Sequence, residues 1–196
     1  NEMIFRVSAK GKTEEDAENI MKPTVEEIYN RLGKYIYGED DCTLEEAVVK
    51  RLQKNGFTIA TAESCTGGLI AGRIVDFAGA SSVFIDGVVS YSNESKVKRL
   101  GVSKGTLEKY GAVSEQTAKE MAEGVVKALG ADVGVSSTGV AGPTGGTPEK
   151  PVGLVYIAVS VKGKTTVRKL NLKGNRNRIR GRVVTEVLNL LLEVLN

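Results

Sequence analysis

The sequence predicts an α/β domain, and three observations predict it. Short runs of apolar and small residues, FTIAT at 57–61, VFIDGVVSY at 83–91 and ADVGVSSTG at 131–139, read as strands. Between them lie segments whose apolar residues recur three and four apart, which read as amphipathic helices. Glycines and capping residues mark the junctions, so strands and helices alternate as in βαβ units. With 196 residues, 41% hydrophobic and 26% charged, the chain has enough material for one ordinary core plus an appendage, and the composition argues against disorder.

Taken in order, residues 2–10 alternate well enough for a strand, and Thr13 opens a charged helix, TEEDAENIMKPTVEEIYNRLG. Ile20, Val25, Ile28 and Leu32 recur there at helical spacing, and Pro23 marks either a kink or a new first turn. KYIYGEDDC is a short strand or loop. A capping box from Thr43 to Glu46 starts a second helix that Gly56 ends. Strand 57–61 is then followed by a helix from Cys65 to Phe77, a strand from Val83 to Tyr91, and short polar helices around Glu94–Leu100 and Lys104–Tyr110.

Ser114 caps a longer helix to about Leu129, with Thr117, Met121, Val125 and Leu129 four apart on one face. The strand ADVGVSSTG stops at Gly139. Val140–Pro151 holds three of the four prolines and reads as a long irregular loop, a kind of segment that often carries function. Strands Val152–Val161 and Thr165–Leu172 form a hairpin around KGK, and a basic-then-apolar helix from Arg176 to Leu195 ends the chain.

Absences narrow the chemistry. The chain has no histidine, which removes Ser-His-Asp and Cys-His catalysis and the commonest transition-metal ligand together. Cys42 and Cys65 are the only cysteines and lack paired spacing, so no structural zinc site is expected; a disulfide between them stays open. A net charge of +3 spread among 24 acidic residues argues no nucleic-acid partner. No apolar run reaches the roughly 18 to 20 residues needed to span a bilayer, and no signal sequence opens the chain, so no membrane contact and a cytoplasmic location are expected. The chain begins with Asn, already in a strand-like pattern, and reads as the C-terminal piece of something longer.

The stretch AESCTGGLIAGRI, 62–74, concentrates the chemistry. Ser64 stands at a strand-to-helix turn, where it could cap the helix, bind an anion or act as a nucleophile whose oxyanion the helix-start amides stabilise. Thr66 belongs to the same turn. Gly67 and Gly68 cost a helix about 1 kcal/mol each against Ala, a pattern that points to a ligand approaching the backbone closely. Without histidine, a Ser64 nucleophile needs Lys, Tyr, a carboxylate or a metal-bound hydroxide, and VVSYSNESKVKRL supplies Tyr91 and Lys96 together. A desolvated Lys96 could take the Ser64 proton directly or through Tyr91; the plain alternative is a solvated lysine beside Lys98 and Arg99.

A third candidate is SSTGVAGPTGG, where Thr138 and Gly139 end a strand and Ala141, Gly142, Gly145 and Gly146 could offer amides to a phosphate or oxyanion. It matches neither GxxxxGK[ST] nor GxGxxG. Arg176 and Arg180 belong to an arginine cluster at the start of the last helix, where it opposes the macrodipole; a phosphate, an acidic partner or a solvated face accounts for it equally.

Together AESCTGG, YSNESK and TGVAGPTGG resemble the CinA C-terminal domain family over residues 43–196, while residues 1–42 resemble the end of the KH-like linker domain that precedes that module. The resemblance implies a three-layer α/β/α fold with a central mixed sheet, preceded by a small α+β KH-like remnant. It implies a nicotinamide mononucleotide deamidase acting without metal or other cofactor, with Ser64 as nucleophile, Tyr91 and Lys96 as its catalytic partners, and Thr138 in the active site. Thr66, Gly67, Gly68, Gly139, Ala141, Gly142, Gly145, Gly146, Arg176 and Arg180 are the candidate substrate-binding residues. The implied partners are a small-molecule nucleotide substrate and a second copy in a homodimer. In longer members the preceding part is a molybdopterin-binding-like domain linked with ADP-ribose pyrophosphatase activity. The family's Gly-Asp-Arg before the last helix is Gly174-Asn175-Arg176 here. Two rival readings are a thiol enzyme using Cys65 and a non-catalytic nucleotide-binding regulatory module.

Overall fold

The computed structural model describes residues 3–195, in two compact units divided after Cys42. In the first, α1 (Glu14–Leu32) starts at Thr13, whose Oγ1 accepts from the Asp16 amide at 3.1 Å, and Glu14, Glu15 and Asp16 complement the helix dipole in its first turn. The helix runs unbroken through Pro23, which therefore starts no new helix. A single 3₁₀ turn, Gly33–Tyr35, follows, and the KYIYGEDDC segment forms no strand.

The expected strand at residues 2–10 is corrected: residues 3–11 are irregular, and Glu2 lies outside the described residues. A strand needs a ladder partner, and the one sheet among the described residues belongs to the second unit. Met3 and Ile4 are accordingly 82% and 92% exposed.

The second unit opens with α2 (Leu44–Asn55), capped as expected by Thr43 and closed by Gly56 in the left-handed conformation. Next come β1 (Ile59–Glu63), α3 (Leu69–Val75), β2 (Phe84–Val89), α4 (Asn93–Leu100), α5 (Lys104–Tyr110) and α6 (Glu115–Leu129). Then β3 (Val133–Gly139), β4 (Leu154–Val161), β5 (Lys164–Asn171) and α7 (Arg176–Val194) complete it. The sheet order is β2-β1-β3-β4-β5; β1 pairs parallel with β2 and β3, while β4 and β5 join antiparallel.

Alternation along the strands sends successive side chains to opposite layers. Ala60 and Ala62 pack with Met121 and Val125 of α6, and Ala158 with Ala118 and Ala122. Gly134 lets α6 press onto β3, because a Cβ there would collide with the Ala122 carbonyl. α4 and α5 lean on α6, whereas α7 packs on the other face of β3 and β4 with α2 and α3 beside it. The result is the three-layer α/β/α fold with a mixed sheet. Among the described residues, no helix is long and apolar enough to cross a membrane.

Two boundaries shift from the expected ones, with consequences for the site. β1 begins at Ile59 rather than Phe57, because the Phe57 amide closes the end of α2 on Leu52 O and Thr58 bonds the Asp132 carboxylate through its amide and hydroxyl, each at 2.8 Å. At its other end the strand extends to Glu63, which pairs with Val89 of β2 and Ser137 of β3. The helix expected from Cys65 starts only at Leu69, because Gly67 and Gly68 sit at φ 61° and 98° and turn the chain first.

Candidate active site

β1 lies between β2 and β3, and the chain crosses from β1 to β2 past α3 on one face and from β2 to β3 past α4 to α6 on the other. The carboxyl ends of the three parallel strands thus border a crevice at the point where the winding reverses, the usual place for a ligand in an open α/β sheet. There, Ser64 follows β1, Ser90 and Tyr91 follow β2, and Thr138 and Gly139 end β3. A pocket of about 200 Å³ lies among Ser64, Cys65, Tyr91 and Lys96 on one side and Thr138, Gly139 and Ala141 on the other. Ala112 and Val113, from the turn before α6, and Arg176, from the start of α7, complete its wall.

Lys96 is the centre of this arrangement. Ser92 caps α4 by accepting from the Ser95 amide at 3.1 Å, and one turn later Lys96 falls on the same buried face as Leu100. Only 1% of Lys96 is exposed, while its neighbours Lys98 and Arg99 are exposed. The solvated-lysine alternative is therefore overturned. Its Nζ donates to the Ser90 and Tyr91 carbonyl oxygens at 2.9 and 3.0 Å and lies 3.1 Å from Ser64 Oγ. Burial disfavours the ammonium and lowers the Lys96 pKa. A neutral amine has two hydrogens for the two carbonyls, which leaves its lone pair for the Ser64 hydroxyl.

The turn that carries Ser64 is gripped from several directions. The Ser64 amide donates to Ser137 O at 3.0 Å, and Thr66 Oγ1 bonds Ser137 Oγ at 2.6 Å. Glu63, 1% exposed, accepts from the amides of Gly68, Ile70 and Ala71 at 2.8, 3.1 and 2.8 Å. Arg180 reaches back from α7 and donates to the carbonyl oxygens of Cys65 and Thr66.

These contacts correct several expectations. The Gly68, Ile70 and Ala71 amides at the start of α3 are held by Glu63 and are not open to an oxyanion, and the cap residue of α3 is Gly68, not Ser64. Gly67 and Gly68 serve backbone geometry, and Thr66 is buried against β3; none of the three lines the pocket. Arg180 is likewise spent on the protein backbone. Thr138 lines the pocket, but its hydroxyl proton goes to Ala112 O at 2.7 Å.

At the mouth, Arg176 donates to Gly142 O at 2.8 Å and to the Tyr91 hydroxyl at 3.3 Å. The Tyr91 side chain is 63% exposed, so its link to Lys96 is through its backbone carbonyl, and the amine reaches Ser64 without it. Gly142 contributes only that carbonyl, while Gly145 and Gly146 lie farther along the exposed loop; none of the three lines the pocket. Asn175 caps α7 by accepting from the Arg178 amide at 2.9 Å, a task an Asp would perform in the same way.

Cys65 is a free thiol in the wall, and burial pushes its pKa up to about 11. A thiol so protonated at neutral pH is a poor nucleophile. Glu63, Ala112 and Val113 are site residues that the sequence reading did not single out. Glu63 stood within the AESCTGG motif, and extending β1 by two residues would have exposed it as a strand-end carboxylate facing a helix start.

The family model described as the CinA C-terminal domain matches residues 41–195, and that described as the damage-inducible protein CinA KH domain matches residues 1–38. A CinA-like protein of Kosmotoga olearia is 56% identical over 188 residues, covering 96% of this chain and 46% of the relative. The chain thus spans about half the length of the relatives it matches. Among solved structures, the competence/damage inducible protein CihA from Agrobacterium tumefaciens shares 39% identity at a TM-score of 0.73, covering 81% of this chain and 99% of that one. A competence-damaged protein (CinA) superfamily protein from Escherichia coli shares 32% identity at a TM-score of 0.75, covering 83% and 98%.

Proposed function

This chain belongs to the CinA C-terminal domain family, and on that premise we propose that its second unit is a metal-independent amidohydrolase that converts nicotinamide mononucleotide to nicotinate mononucleotide and ammonia. The observation that carries the reading is the buried Lys96 amine 3.1 Å from Ser64 Oγ. In a chain without histidine, this pair is a nucleophile with its base in hydrogen-bond reach.

Ser64 gives its proton to the neutral Lys96 amine and attacks the carboxamide carbon. The carbonyl oxygen becomes an oxyanion, and the Cys65 amide, next to the nucleophile in the chain and without a backbone acceptor among the described residues, is the donor assigned to it. The Lys96 ammonium then protonates the departing nitrogen, the C–N bond breaks, ammonia leaves, and an acyl ester remains on Ser64. Water gives a proton to Lys96 and attacks the ester carbon; the Ser64–carbon bond breaks, Ser64 recovers the proton from Lys96, and the carboxylic acid is released and gives its proton to solvent. Tyr91, whose hydroxyl sits with Arg176 at the mouth, belongs to the substrate-holding side of the reaction.

The pocket volume agrees with this substrate. At about 200 Å³ it is smaller than the roughly 300 to 1,000 Å³ that encloses a drug-sized ligand, so it takes a single aromatic ring with its carboxamide. The ribose and phosphate then lie outside, where Arg176 stands. The test is ammonia release from nicotinamide mononucleotide, beside nicotinamide and its riboside. Turnover of the mononucleotide is the expected result; calorimetric binding without ammonia release would instead make the site a nucleotide-binding regulatory module.

A further inference from the structure

The two ends of the Ser64–Gly68 turn are held by opposite charges from different elements. Arg180 of α7 takes the carbonyls of Cys65 and Thr66, and Glu63 of β1 takes the amides of Gly68, Ile70 and Ala71. Neither charge lines the pocket. Both are largely removed from water, Glu63 being 1% exposed and Arg180 partly buried, and burial of a charge is costly unless its partners are good. Ser64 is tied to β3 by its amide bond to Ser137 O, but beyond it the chain leaves the sheet and passes through two consecutive left-handed glycines, where no strand or helix pairing holds it.

Resting on the amidohydrolase reading, we propose that Arg180 and Glu63 are positioning residues that clamp this turn and aim Ser64 Oγ at Lys96. Arg180 fixes the Cys65–Thr66 and Thr66–Gly67 peptide units, the second and third after the nucleophile. Glu63 occupies the α3 amides from within the chain and pins the far end of the turn to β1. Loosening either end lets Ser64 drift from the amine, and a displacement of about 1 Å can cost about 100-fold in rate. The substrate touches neither residue, so its affinity is untouched.

The experiment compares R180A, R180K and E63Q with the natural chain in two readouts: ammonia release, and the rate at which a fluorophosphonate phosphonylates Ser64 with loss of fluoride, followed by mass spectrometry. For each variant kcat falls roughly 10- to 100-fold while KM stays within about 2-fold, and phosphonylation of Ser64 slows in parallel. Added guanidinium restores part of the lost rate to R180A but none to E63Q. If R180A does not fold, R180K, which retains one of the donors, carries the same comparison. Undiminished phosphonylation in the folded variants, or a change confined to KM, overturns the clamp. Failure of the natural chain itself both to release ammonia and to be phosphonylated at Ser64 overturns the amidohydrolase reading instead, so the two failures are distinguishable.

Discussion

Lys96 Nζ lies 3.1 Å from Ser64 Oγ although the two residues are 32 apart in sequence, one following β1 and the other in α4. The parallel pairing of β1 with β2 brings them together, since Ser64 and Ser90 leave adjacent strand ends and Lys96 folds back onto the Ser90 and Tyr91 carbonyls. Under the proposed mechanism, S64A is expected to abolish ammonia release, and K96M should cost on the order of 100- to 10,000-fold in kcat. K96R should fail as well, because a guanidinium stays protonated and has no lone pair to offer. Steady-state ammonia assays on folded variants check all three.

The pH dependence follows from the same burial. Lys96 acts as a base only when neutral, and desolvation lowers its pKa below that of an ordinary lysine. Activity is therefore expected to rise with pH as Lys96 loses its proton, with the midpoint of that limb below the ordinary lysine value of about 10.4. The sign is decisive: a limb that falls with rising pH over this range would mean that the ammonium is the working form. A profile of kcat/KM against pH reports the free enzyme directly.

Much of this site was legible in the sequence, and the part that was not has physical causes. The missing histidine left only a few partners for Ser64, and Tyr91 with Lys96 stood together in one short segment. The burial of Lys96 was harder to read, because its neighbours Lys98 and Arg99 make the helix look solvated; the clue was Leu100, four residues on and on the same face. The roles of Glu63 and Arg180 depend on where β1 ends and on α7 packing beside α3, which are tertiary facts. The glycine pair pointed to a close ligand, yet its left-handed backbone angles account for it locally. The strand expected at residues 2–10 had the right alternation, but alternation alone supplies no ladder partner.

Cys65 adjoins Ser64 but is not placed as a nucleophilic thiol would be. With its pKa pushed up to about 11 by burial, it remains a thiol through the neutral range. C65S should keep ammonia release within a few-fold of the natural chain. In the folded protein at neutral pH, iodoacetamide should leave Cys65 unmodified, as read by mass spectrometry of the peptide that contains it. Loss of turnover in C65S together with rapid alkylation would transfer the chemistry to the thiol.

Thr138 is expected to matter for stability more than for charge stabilisation. Its hydroxyl donates to Ala112 O, tying the end of β3 to the turn before α6 that forms one pocket wall. T138V removes that bond and should lower stability by about 1 kcal/mol, measured by urea denaturation. The loss in kcat should stay well below the roughly 100- to 1,000-fold that follows removal of an oxyanion donor. A loss of that larger size without destabilisation would show the hydroxyl turning to the substrate.

Arg176 should decide whether the phosphate is read. It is exposed at the pocket mouth, held by Gly142 O and the Tyr91 hydroxyl, and is the one cationic side chain besides buried Lys96 among the residues lining the pocket. A charge-assisted contact of this kind contributes about 1.5 to 3 kcal/mol, so R176A should raise KM for nicotinamide mononucleotide roughly 10- to 150-fold. Because the contact lies away from the reacting carbon, kcat should change little, the signature of binding lost equally from ground and transition states. The riboside lacks the phosphate and should be turned over by R176A as by the natural chain. The ratio of kcat/KM for the two substrates therefore collapses toward unity in R176A if Arg176 binds the phosphate. If both substrates lose equally, Arg176 acts instead through Tyr91 and the loop at Gly142, shaping the pocket for the ring.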